Sequence, residues 1–231
     1  SNGNFSQEGS ELVTNGDFAT DSDWSLQSSA SISQNKLIVS NAAQNTTIAT
    51  QSSVAPTQKP CKLQFDIVVN TGSFRILLGS SGTSTTVTES GTYTLYETSG
   101  NFGTLTLQAR DGGFDGSIDN VSVKEVGQDW SLETGWSIGD GVAIGSSTTR
   151  NIQQLGILQS NKTYKLTYTI LDYVSGSVRP NVGTVVGTTQ SSNGTFTEYI
   201  TSLGSHFYLD GVSAFTGSIT NISIKEVGQD W

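Results

Sequence analysis

A fifteen-residue phrase occurs twice in this chain, and no other feature restricts the fold as strongly. Gly116-Ser-Ile-Asp-Asn-Val-Ser-Val-Lys-Glu-Val-Gly-Gln-Asp-Trp130 returns as Gly217-Ser-Ile-Thr-Asn-Ile-Ser-Ile-Lys-Glu-Val-Gly-Gln-Asp-Trp231, with three substitutions. A match of that quality about a hundred residues away marks an internal repeat, so the chain holds two copies of one unit. Residues 11–126 form the first unit and 127–231 the second. Residues 1–10, rich in Gly and Asn and without periodicity, read as a linker or tag remnant. Asp-Trp recurs at Trp24, Trp130 and Trp231. Trp231 therefore reads as the first residue of a further unit, or as a tail that packs back on the second.

The repeated phrase carries a local signal because its apolar residues change phase. Phe114, Gly116 and Ile118 keep period two, and so do Val121 and Val123, but the second set is displaced by one residue. Both sets can face one core only if the strand contains an extra residue, which predicts a β-bulge at Asp119-Asn120. The same displacement recurs between Ile219 and Ile222.

Elsewhere the pattern is short alternating segments broken by turn residues. Lys62-Leu-Gln-Phe-Asp-Ile-Val turns Leu63, Phe65 and Ile67 inward, and Tyr164-Lys-Leu-Thr-Tyr-Thr-Ile170 restates it in the second unit. Asp129-Trp-Ser-Leu132 restates Asp23-Trp-Ser-Leu26, which marks Trp24 and Trp130 as core residues. No window shows helical periodicity. Seven to nine short strands per unit predict an all-β chain of two tandem jelly-roll-like antiparallel β-sandwiches.

Composition narrows the function classes. The formal net charge of −9 opposes binding to phosphate backbones, so nucleic acid is excluded as a partner. No run of about 18 apolar residues is present, so membrane insertion is not expected either. A charged fraction of 13%, with Ser and Thr supplying more than a quarter of the chain, is the composition of an extracellular β-protein. A single cysteine, Cys61, rules out an intramolecular disulfide.

Residues for covalent or metal-assisted catalysis are scarce. His206 is the only histidine, and no Gly-x-Ser-x-Gly elbow, phosphate-binding glycine loop or His-Glu-x-x-His accompanies it. The acid pairs Asp21/Asp23 and Asp111/Asp115 lie in Gly- or Ser-rich turns, where short carboxylates serve local hydrogen bonding. The chain is not expected to be an enzyme. Sugar recognition needs a flat ring beside planar amide, carboxylate or guanidinium groups. Tyr173, Arg179, His206 and Tyr208 supply that set in the second unit, with Arg75, Tyr96, Gln108 and Arg110 as weaker counterparts in the first.

Leu12-Val-Thr-Asn-Gly-Asp-Phe18, the early Trp24, the Tyr164 strand and the closing Gly116–Val123 strand together resemble the jelly-roll carbohydrate-binding modules of the galactose-binding-like superfamily. The tandem form is similar to repeats in phage tail and virion-surface proteins. The resemblance implies a non-catalytic carbohydrate-binding or adhesion tandem of an extracellular or virion-surface fibre, with a glycan or polysaccharide as partner and further repeats or a homo-oligomer around it. The alternative is a structural spacer that presents a separate receptor-binding domain. It also implies a structural Ca2+ in the first unit only, on Asp17 and Asp119. In the second unit Thr220 stands for the closing Asp, and Gly127-Gln128-Asp129-Trp130 stands where the opening turn should be.

Overall fold

The structure is a computed structural model that describes residues 3–79 and 85–228. Every regular element among them is a strand, as the alternation predicts. In the first unit these are β1 (Glu8–Glu11), β2 (Ser25–Leu26), β3 (Ala30–Ser33), β4 (Lys36–Ala42), β5 (Thr47–Gln51), β6 (Pro60–Leu78), β7 (Thr86–Val87), β8 (Gly91–Thr98) and β9 (Leu105–Val126). The second contains β10 (Ser131–Leu132), β11 (Trp136–Gly139), β12 (Val142–Thr148), β13 (Asn151–Gln154), β14 (Thr163–Val182), β15 (Val185–Val186), β16 (Gly194–Thr201) and β17 (Phe207–Glu226).

Two long strands per unit build both layers of each sandwich. The first half of β6 pairs with β8 and with the closing half of β9, which also pairs with β4. Its second half pairs with β7 and with the opening half of β9, which also pairs with β5. All these pairings are antiparallel, and β14 and β17 repeat the scheme with β16, β12, β15 and β13. The bend of β6 falls at Gly72 (φ +78°), where a Cβ would sit 2.1 Å from the Gly113 carbonyl oxygen. Only glycine fits that crossing.

Inward phase changes at each irregularity, so both halves of a long strand feed one core. Cys61, Leu63, Phe65 and Ile67 of β6 are buried, then Phe74, Ile76 and Leu78. On β9 the buried set runs Leu105, Leu107, Ala109, Phe114, Ile118, Val121, Val123. The bulge lies where the sequence places it. Gln64 opposes Ser122 while Asp66 opposes Asp119, which leaves one extra residue on β9. Asn120 absorbs it at φ +51°, and Asn221 does so at φ +53° between Thr220 and Ser223. Asparagine tolerates this left-handed conformation better than most residues.

Compact packing divides the chain into Glu8–Val126 and a discontinuous unit made of Ser1–Gln7 with Gly127–Trp231. The described part of the N-terminal stretch is thus not a linker, in contrast to the sequence reading. The Gly3 carbonyl accepts from Ile222 N–H at 2.8 Å, and Phe5 is buried with its ring 5.0 Å from that of Trp130. In the first unit the Gly16 carbonyl accepts from Val121 N–H at 2.8 Å, and Phe18 lies 5.2 Å from Trp24. The opening turn that the second unit lacks in its own sequence is supplied from the start of the chain. Trp24 and Trp130 are buried under these phenylalanines, as core residues. Trp231 lies outside the described residues.

Candidate functional site

Alternation in Val178–Val182 and Phe207–Gly211 separates core from surface on two neighbouring strands. Val178, Pro180 and Val182 point inward with Phe207, Leu209 and Gly211. Arg179, Asn181, Tyr208 and Asp210 therefore share the outer face. Register aligns them in rows, with Asn181 opposite Tyr208 and Arg179 opposite Asp210. On the other flank Gln153 opposes Tyr208 and Asn151 opposes Asp210. A ring, a guanidinium, a carboxylate and three amides are thus fixed on one rigid sheet face.

The polar groups there are incompletely paired. The Arg179 guanidinium lies 3.6 Å from the Asp210 carboxylate, and both side chains remain partly exposed. Such a pair contributes at most about 1 kcal/mol to stability. Arg179 Nε and Asn181 Oδ1 are shielded from solvent and have no hydrogen-bond partner. Among natural surfaces such groups call for an explanation. His206 adjoins the face, its ring 6.2 Å from that of Tyr208. Gly156 N–H donates to His206 Nδ1 at 3.1 Å, so in the neutral ring Nε2 carries the proton and is free to donate.

Three of the four binding candidates, Arg179, His206 and Tyr208, are thus brought together. Tyr173 is not among them. It sits at the bend of β14, where its hydroxyl donates to the Gly176 carbonyl at 2.9 Å and its N–H donates to Asn193 Oδ1 at 2.8 Å. Its bonds hold the strand crossing. Asn181, Asp210, Gln153 and Asn151 escaped the sequence reading, although the alternation of β14 and β17 would have shown the first two.

The first unit has a reduced version of the same face. Arg75 opposes Gln108 in the register position where Arg179 opposes Asp210. There Arg75 Nε donates to Gln108 Oε1 at 2.7 Å, and Arg110 bonds the Asn45 side chain. Leu77 and Thr106 stand where the second unit has Asn181 and Tyr208. The counterparts of the Tyr208 ring and the Asn181 amide are missing, and Tyr96 lies on β8 in the opposite layer.

A separate pocket of about 220 Å³ opens on the first unit, lined by Lys36, Asp66, Thr92, Ser117 and Asp119. Asp66 is held below the usual carboxylate range by the Thr92 hydroxyl and the Asn120 amide. Asp17, the other calcium candidate, is not among its lining residues. Asp17 Oδ1 accepts from Ala19 N–H at 3.4 Å, and Asp119 Oδ1 accepts from Asn120 N–H at 2.8 Å. No group of three or more His, Cys, Asp or Glu side chains suited to a metal is present among the described residues. Calcium favours six to eight oxygens, and two carboxylates engaged in their own turns do not make that set. The expectation of Ca2+ rests on the family resemblance.

Three of the four acid-pair carboxylates are engaged too, Asp23 within its own turn but Asp111 and Asp115 with residues distant in sequence. Asp115 accepts from Asn41 N–H and the Asn70 amide, Asp111 from the Gln44 amide, and Asp23 from the Ser22 hydroxyl. No protein-family model matches the chain, and no curated protein matches it in sequence.

Proposed function

We propose that this chain is a non-catalytic carbohydrate-binding tandem repeat of an extracellular or virion-surface fibre, and that the Arg179–Tyr208 face of the second unit is its glycan contact. The observation that carries the reading is the grouping of Tyr208, Asn181, Arg179 and Asp210 on one sheet face, with Arg179 Nε and Asn181 Oδ1 unpaired. A pyranose presents C–H faces that rest on a tyrosine ring and vicinal hydroxyls that match a planar guanidinium and amide. The contact lies on a sheet face, and repetition in a fibre would strengthen attachment by making later contacts intramolecular. No helix among the described residues is long and apolar enough to cross a membrane.

A glycan array with the full chain, followed by retention on the matching polysaccharide column, tests this. Arg179→Ala and Tyr208→Ala should each lower retention at least tenfold with little change in melting temperature. Tyr173→Ala should instead lower the melting temperature and spare retention. No retention of the parent on any glycan would favour the structural-spacer reading, to which the near-identical closing strands and divergent surface faces of the two units also conform.

A further inference from the structure

The bulges at Asn120 and Asn221 have a common consequence. The residue that follows each one points its N–H out of the ladder, and in both units a glycine carbonyl accepts it. A Cβ on that glycine would meet the neighbouring carbonyl oxygen at 1.7 Å for Gly3 and 2.0 Å for Gly16, so no other residue fits. Two residues on, Phe5 (φ +53°) and Phe18 (φ +49°) are both buried against a tryptophan. Between them Asn4 and Asp17 each accept an N–H from the second residue after them, so either side chain serves. The slot thus reads Gly-Asn/Asp-Phe.

In the first unit that segment is continuous with the strands it completes. In the second it is separated from Trp130 by all of Glu8–Val126. We propose that the second unit is a segment acceptor, whose slot at Ile222 and Trp130 takes up the Gly-Asn-Phe segment of a second copy of this chain when its own is displaced. The contacts are the same in both cases, which is the condition under which segment exchange between copies costs little. The proposal is independent of glycan binding, since none of its residues lies on the Arg179 face.

Hydrogen exchange on the full chain provides the test, because Ile222 and Val121 N–H report the two slots separately. In Phe5→Ala the Ile222 amide should exchange at least tenfold faster while Val121 stays as protected as in the parent. A synthetic peptide of the first seven residues, at about 1 mM to match the effective concentration of a tethered segment, should restore Ile222 protection. The same peptide with Ala for Phe should not. If Phe5→Ala unfolds the whole second unit, Phe5→Leu is used with the same two peptides. Unchanged Ile222 protection in the variant, failure of the intact peptide to restore it, or equal restoration by both peptides overturns the proposal.

Discussion

Removing one oxygen atom should stabilise the second unit. Tyr168 is fully buried, and its hydroxyl has no hydrogen-bond partner. Burial, and then the nearby Glu198 carboxylate, push its pKa well above the usual phenol value, so it stays neutral at any working pH. In the unfolded chain the hydroxyl is hydrated, and burying it unpaired costs about 1–3 kcal/mol. Phe65 occupies the same register position in the first unit, where it stacks on Tyr93 at 5.4 Å as Tyr168 packs on Phe196 at 5.6 Å. The hydroxyl is carried by the opposite ring of the pair in the two units. Tyr93, at the sheet margin, donates its own to the Glu89 carbonyl at 2.9 Å. Tyr168→Phe keeps the ring and should gain about 1–2 kcal/mol, which for a unit of roughly 110 residues raises the melting temperature by about 4–8 °C. Tyr93→Phe should do the opposite, by about 0.5–1 kcal/mol at most. Scanning calorimetry of the two variants beside the parent measures both signs. A Tyr168→Phe protein no more stable than the parent would falsify the reasoning and show that the hydroxyl is bonded, with the Glu198 carboxylate the first acceptor to examine.

Two further outcomes follow from charge and burial. Glu8 accepts from Lys62 at 2.6 Å and Lys124 at 3.0 Å, and these bonds lower its pKa from 4.5. Its contribution is therefore present above the unfolded value and lost as pH falls through the lower folded one. Glu8→Gln should be less stable than the parent by under about 1 kcal/mol at neutral pH, with the gap closing below about pH 4, as urea titrations at several pH values would show. Cys61 is fully buried, and burial pushes its thiol up to about 12. Iodoacetamide should leave it unmodified in the native protein and alkylate it in denaturant, and mass spectrometry showing native labelling would contradict the packing.

The repeat, the strands and the bulge were legible in the amino-acid order because each is a local matter. Phase in Phe114, Ile118, Val121 and Val123 records which residues face the core, and a one-residue displacement has only one structural meaning. Alternation also marked Leu63 as interior, and the repeated Asp-Trp-Ser-Leu wording did so for Trp24. Partnership across the fold left no such trace. Tyr173 and Tyr208 look alike as loop or strand tyrosines, and only the bend of β14 shows one holding the backbone at Gly176 while the other faces Arg179 and Asn181. Residues 1–10 looked like a linker because the contacts at Gly3, Asn4 and Phe5 are too few to set up a period. What completes the second unit is a bulged N–H at Ile222 and an apolar face on Trp130, both more than a hundred residues away from the segment that satisfies them. Sequence fixes a residue's neighbours along the chain, and so its local conformation and facing. Which distant group meets an unpaired donor or an uncovered ring is decided only when the layers close around one core.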